Sequence, residues 1–232
     1  MAPLLDEVDE PYLVAVTTLF VAWVSVLLRD NEGARRGLTA ALDRLRPLDE
    51  PMWTALALVS AGSVESALGH HDVGLRHITE AHGLAGRFDA PWLAAVTRIA
   101  LATIAVMREE FEEARGLLEQ ALELSLSGHS VHCLCMVLDC TATLSLAQGN
   151  DEQAGLLAGA AQGLRGRSGL RAYASMRGDG DLAAAVRAAA GAARFPELAA
   201  KGARLREAEV PALIRDSLRV SAATLRGAAL ET

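Results

Sequence analysis

The chain is 232 residues long, 51% hydrophobic and only 4% aromatic, with a formal net charge of −7. That apolar mass, much of it Ala and Leu, excludes a disordered polymer and favours close helix-on-helix packing over a sandwich rich in Val, Ile and Tyr. The acidic balance, with Lys201 as the single lysine, disfavours a surface built to track nucleic-acid phosphates.

An almost all-Arg basic set beside abundant Ala and Gly is what a high-GC, actinobacterium-like genome encodes. The start, Met1 to Val14, places acidic residues where a secretory signal needs a basic stretch, so no export signal is read there. The most apolar run, Leu13 to Leu28, is interrupted by Thr17, Thr18 and Ser25 and is shorter than the roughly 20 residues of a membrane span, which predicts a buried helix. Cys133, Cys135 and Cys140 are an odd number crowded into one segment. They argue against a disulfide framework and for a reducing compartment, the cytoplasm.

Positions forty apart align without a gap. Asp9-Glu10-Pro11 recurs as Asp49-Glu50-Pro51 and as Asp89-Ala90-Pro91, each followed by a large side chain: Tyr12, Met52 with Trp53, and Trp92. Proline suits the first position of a helix and an acidic neighbour suits its positive end. The same offset joins Ala22, Gly62, Ala102 and Ala142 in a first helix to Ala34, Gly74, Ala114 and Ala154 in a second. In that second helix it continues through Leu38, Ile78, Leu118 and Ala158, and through Ala41, Ala81, Ala121 and Ala161. Intervals of four and three put these residues on one stripe.

The predicted helices, in chain order, are 10–29 and 32–46, 50–68 and 71–87, 91–107 and 110–126, and 130–148 and 151–165. Residues 165–180, rich in Arg, Gly and Ser, read as a loop. Helices are then expected at 181–194, at 196–206, and from Pro211 to about Leu225. The fold class is therefore all-α: four tandem 40-residue helix-turn-helix repeats at about 9–48, 49–88, 89–128 and 129–168, followed by a helical capping segment over 169–232.

Gly62 in one helix with Gly74, Ile78 and Ala81 in the next resembles the tetratricopeptide pattern, lengthened from 34 residues to forty. Units of this length are similar to the C-terminal helical-repeat regions of actinobacterial AfsR-like and LuxR-type signal-transducing ATPase regulators related to MalT. The closing runs Leu156-Leu157-Ala158-Gly159-Ala160-Ala161, Val186-Arg187-Ala188-Ala189-Ala190-Gly191, Phe195 and Gly202-Ala203-Arg204-Leu205 resemble the ends of those regions.

The resemblance implies a right-handed superhelix whose first helices line a concave groove. The implied groove positions are Val16, Leu19 and Trp23; Leu56, Val59 and Ser63; Val96, Ile99 and Thr103; and Met136, Asp139 and Thr143. A mostly apolar channel with a ladder of hydroxyls, one carboxylate and one indole suits a protein, a peptide or a small apolar or amphipathic molecule. A bound ligand, a second copy of the chain forming a homodimer, or the chain's own segment after Gly180 would cover it.

In such regulators this region resembles a sensor or docking arm. The expected function is accordingly a ligand- or protein-binding domain of a transcriptional or signalling regulator. The alternatives are a stand-alone small-molecule binder or cofactor-independent enzyme using the groove, and an assembly scaffold. No phosphate-binding G-x-x-x-x-G-K-[ST] run and no G-x-S-x-G elbow occurs. Neither catalysis nor a cofactor is expected.

The remaining candidates for chemistry read plainly. His129, His132, Cys133, Cys135 and Cys140 carry metal-ligand atoms, yet Cys133 and Cys135 point about 200° apart on a helix and do not converge on one ion. No metal is expected. Glu109, Glu110, Glu112 and Glu113 read as solvated charges at a helix start. Glu65 stands mid-helix in apolar surroundings, and Arg98 or a hydroxyl of the following repeat is its expected partner. His70, His71 and His77 read as surface histidines. Arg165, Arg167, Arg171 and Arg177 with Tyr173 read as a flexible basic loop.

Overall fold

In the computed structural model residues 10–170 and 179–219 are described, and no strand occurs among them. The helices are α1 (Pro11–Leu27), α2 (Asn31–Leu45), α3 (Pro51–Ala67), α4 (His71–Ala85), α5 (Pro91–Met107), α6 (Phe111–Ser127), α7 (Val131–Ala147), α8 (Asp151–Arg167), α9 (Asp179–Ala190) and α10 (Arg194–Ala203). Short 3-10 turns lie at Arg46–Leu48 and Glu207–Glu209, and residues 210–219 are again helical. The odd-numbered helices α1 to α7 begin at 11, 51, 91 and 131, and their partners at 31, 71, 111 and 151, which keeps the forty-residue offset of the sequence.

The ends of these helices follow from local chemistry. Pro11 and Pro51 occupy first-turn positions whose N–H would have no partner, and Glu10 and Glu50 stand at the N-caps without bonding them through their side chains. Their carboxylates act through the helix field alone. Asp30 and Ser130 do cap directly, accepting from the N–H groups of Gly33 at 2.8 Å and Cys133 at 3.2 Å. Each first helix stops in the same way. Arg29, Gly69, Glu109 and Gly149 adopt left-handed φ values of 58°, 86°, 62° and 73°. The next N–H then donates back five residues, from Asp30 to Ser25, His70 to Glu65, Glu110 to Ala105 and Asn150 to Ser145, at 2.8–3.0 Å. This is the Schellman arrangement, and it turns the chain sharply enough for the second helix to return along the first.

Two compact units divide the chain, Met1–Ala100 and Leu101–Thr232. In the first, α1 pairs with α2 and α3 with α4, while α2 also packs on α3. The aligned small and aliphatic positions Ala22, Ala34, Leu38, Ala41, Gly62, Gly74, Ile78 and Ala81 are all buried. The α3–α4 crossing shows why they are small. A Cβ on Gly62 would stand 2.5 Å from Ile78 Cγ1 and 2.8 Å from the Gly74 carbonyl oxygen, and one on Gly74 would stand 2.7 Å from the Gly62 oxygen.

In the second unit α6 packs on α7, α7 on α8, and α8 against both α9 and α10. Ala102, Ala114, Leu118, Ala121, Ala142, Ala154, Ala158 and Ala161 repeat the buried pattern. The C-terminal helices meet α8 along Gly155, Gly159 and Gly163. A Cβ on Gly159 would overlap the backbone of Ala199, and one on Gly163 that of Ala203. Val186 and Phe195 close a small core over Ala154, with the Arg187 guanidinium 5.1 Å from the Phe195 ring centroid. Arg167 donates to the carbonyls of Ala203 and Leu205 at 2.8 and 2.7 Å, satisfying the end of α10.

Two expectations about the tail change. The helix ending in the sequence map at 165 continues to Arg167, and the helix expected from Pro196 starts at Arg194, with the proline inside its first turn where it removes no bond. Residues 171–178, with Arg171, Tyr173 and Arg177, and those beyond 219 lie outside the described residues.

The two kinds of helical glycine separate in a stability measurement. Replacing Gly159 by Leu should remove about 2–4 kcal/mol, because backbone rather than a flexible side chain blocks the new group. Gly83→Ala, on α4 with nothing within 4 Å of its Cβ position, should add about 0.5–1 kcal/mol. Denaturant unfolding of the two variants checks both signs.

Candidate functional site

The first unit carries an aromatic face on α1 and α3. The Phe20 ring meets Trp23 edge-on at 5.0 Å between centroids and Trp53 at 6.0 Å. Trp53 Nε1 donates to the Tyr12 hydroxyl at 2.8 Å and Trp23 Nε1 to Ser60 Oγ at 2.9 Å. Ser60 in turn donates to the Leu56 carbonyl. Both indole N–H groups are thereby satisfied within the protein. The face offers ring faces and edges, with the Tyr12 proton as its polar handle. Tyr12, Phe20 and Met52 remain 45%, 49% and 37% exposed, which is unusual for side chains of this size gathered in one place.

The positions implied for a groove distribute unevenly. In the first unit Val16, Trp23, Leu56 and Val59 are half-buried and Ser63 is exposed, all on or beside this face, whereas Leu19 is fully buried in the core and Val96 and Ile99 are buried on α5. One position on α1 is corrected. Leu19 follows Ala15 and precedes Ala22 on the stripe that packs inward, and Phe20 takes the place assigned to it. Phe20, Tyr12, Trp53 and Ser60 are the residues that the sequence reading missed. The spacing of Phe20, four after Val16 and three before Trp23, was the available signal.

In the second unit Met136 is buried, Thr143 is half-buried and Thr103 is exposed, with its Oγ1 3.5 Å from Cys140 Sγ. The hydroxyls are largely committed. Ser63 donates to the Val59 carbonyl and Thr143 to that of Asp139, both at 2.9 Å, which leaves these two oxygens as acceptors. Asp139 is bound by Arg165, whose side chain is 8% exposed. Arg165 thus lies in α8 as a buried counter-ion rather than in a basic loop, and the carboxylate expected to greet a ligand neutralises it.

A second depression lies between α2, α3 and α4, lined by Arg35, Thr39, Asp43, Arg46, Glu65 and His77 with Leu42 and Ala61, and encloses about 90 Å3. That volume holds only a few waters. Three of its charged side chains are paired inside the protein: Arg35 with Glu32, Arg46 with Glu80, and Glu65 with His70, whose Nδ1 lies 2.7 Å from Glu65 Oε2. The partner of Glu65 is therefore the histidine at the end of its own turn, brought back by the Schellman geometry, and not Arg98 or a hydroxyl of the following repeat.

Burial lowers the pKa of His77 and of His82, against Glu80 and Glu65 for the first and with Arg98 adding to the effect for the second. The hydroxyl of Thr97 donates to the Ala94 carbonyl and so accepts from His82 Nδ1, 3.1 Å away.

Cys133, Cys135 and Cys140 are buried, His132 is half-buried, and His129 stands exposed in a left-handed turn before Ser130. Among the described residues no three His, Cys, Asp or Glu side chains are grouped to hold a metal ion. Glu110 pairs with Arg108 and Glu112 with Arg115 around the start of α6. No helix among the described residues is long and apolar enough to cross a membrane. No protein-family model, curated protein or solved structure matches the chain.

Asp139→Asn should cost about 1–3 kcal/mol, because it removes the charge opposite a buried guanidinium, while Glu112→Gln, at a carboxylate largely open to water, should stay within roughly 0.5 kcal/mol. Unfolding by urea distinguishes them. The histidines set a pH dependence. The unfolded chain takes up protons near the ordinary value of 6.5, while native His77 and His82 resist protonation. Their contribution is complete above that pH and is lost as pH falls through the lowered native values. Melting curves from pH 7.5 down to about 5 should decline, and should decline less in His77→Gln/His82→Gln.

Proposed function

We propose that this chain is a tetratricopeptide-like repeat domain that docks an apolar or amphipathic partner on the α1–α3 aromatic face, as the sensor or docking arm of a signalling or transcriptional regulator. The recurrence of helix starts and Schellman turns at forty-residue intervals supports the repeat reading. The aromatic cluster supports the docking. Four of the few aromatic side chains, Tyr12, Phe20, Trp23 and Trp53, gather on two helices, and both indole donors are used up, Trp53 on Tyr12 and Trp23 on Ser60.

The sign of the partner's charge follows from the rim. Helices α1 and α3 have one charged residue between them, Glu65, and the turns leading into α1, α3 and α5 contribute Glu10, Asp49, Glu50 and Asp89. None of these four forms an ion pair among the described residues; of the bases in the turns before α3 and α5, Arg46 is held by Glu80 and Arg87 offsets one of the four charges. An apolar ligand edged with Lys or Arg fits this surface better than an acidic one.

Two model helical peptides of equal apolar content, one Leu/Lys and one Leu/Glu, test the reading. With Trp53 and Trp92 changed to Phe, Trp23 emission should shift on adding the basic peptide, with affinity about tenfold above that of the acidic one. Met52→Lys should weaken the basic peptide, and Val16→Asp should abolish the shift while circular dichroism stays helical. Equal indifference to both peptides, or a shift unaffected by Val16→Asp, would remove this face from consideration.

A further inference from the structure

We infer that the outer face of α1 is a self-association surface, on which a second copy of the chain lays its own α1 in antiparallel orientation. The face borders the aromatic one and shares Phe20 with it. Leu13, Thr17, Phe20, Val24 and Leu27 succeed one another at intervals of four, three, four and three residues. At about 100° per residue they fall within about 80° of one another, roughly opposite the buried Ala15, Leu19 and Ala22. Leu13, Phe20, Val24 and Leu27 are 53%, 49%, 50% and 38% exposed, and Leu28, just past the helix, is 75% exposed.

Helix α1 has no charged residue in its 17 positions. The interval pattern is the heptad seam on which two helices interlock, and it commits the face to a helical partner bearing a similar uncharged stripe. The chain supplies one in α1 itself. Antiparallel pairing about a two-fold axis sets Leu13 against Val24 and Thr17 against Phe20, then the same pairs reversed, so that each layer joins a large side chain to a smaller one. Parallel pairing would stack Phe20 on Phe20 and bring two positive helix ends together.

Charge also selects this face. A chain of net charge −7 repels its own copy over most of its surface, and the α1 stripe is a place where two copies meet without that penalty. The exposed portions of these side chains amount to roughly 400–500 Å2 per copy, so the pair buries at most about 900 Å2, the size of a weak, transient interface rather than an obligate one. The association is therefore expected to be reversible.

Sedimentation equilibrium of the full chain over a range of concentrations tests the inference. The weight-average mass should rise from 24.4 kDa toward twice that value. Leu13→Glu/Val24→Glu should weaken association at least about tenfold, with helix content and melting temperature of the monomer unchanged. Leu13→Lys/Val24→Glu should recover it, because antiparallel copies bring unlike charges together where parallel copies would oppose like ones. A native chain that stays monomeric throughout would overturn the proposal, as would a dimer indifferent to Leu13→Glu/Val24→Glu. A fall in the monomer's melting temperature in that variant would place the face inside the chain's own packing and overturn it too. Failure of Leu13→Lys/Val24→Glu to associate would refute the antiparallel pairing.

Discussion

The structure depends on how closely two helix backbones can approach where a helix turns back on its neighbour. At the α3–α4 crossing Gly62 and Gly74 leave no room for a Cβ, and Ile78 fills the space beside them. The corresponding positions elsewhere hold Ala22 with Ala34, Ala102 with Ala114, and Ala142 with Ala154, all buried. Such contacts bring many atoms to van der Waals distance at once, so dispersion and apolar burial are gained together. The left-handed residue at each turn serves the same end, since without it the second helix would leave at the wrong angle. The non-glycine residues Arg29 and Glu109 accept a strained φ there, a sign that the turn geometry outweighs local preference.

This constraint is why the fold was legible. Small residues at fixed intervals and prolines at helix starts are positional requirements, and a forty-residue offset repeats them often enough to stand out from an Ala-rich background. The eight paired helices lie within two residues of the bounds read from sequence. The same logic marks Gly159 and Gly163 as contacts rather than loop residues, because they continue the interval of four from Gly155 along α8.

The site was less legible, for a physical reason. A helix shows its face through the contrast between apolar and polar positions, and α1 has almost none: Leu19 and Phe20 are equally apolar neighbours that differ by about 100° in direction. The core takes Leu19 and leaves Phe20 to the aromatic cluster. The role of Asp139 was hidden differently. Its partner Arg165 lies 26 residues away on the next helix, in a stretch whose Gly and Ser content resembled a loop. Only folding brings them together, and a carboxylate that looked available proves to be the counter-ion of a buried cation.

Under the proposed docking function, the aromatic face would separate specificity from affinity in a particular way. Had the indole N–H groups of Trp23 and Trp53 pointed outward, they would have demanded acceptors from any ligand and punished one that lacked them. Bonded instead to Ser60 and Tyr12, they hold the rings in place and ask nothing further. A ligand then gains chiefly from the apolar area it covers, which tolerates many shapes. Discrimination falls to the rim, where Glu10, Asp49, Glu50 and Asp89 act over longer distances and are weakened by salt. A surface of this kind selects a class of partner, apolar in the middle and basic at the edge, and leaves finer choice to contacts that the partner itself brings.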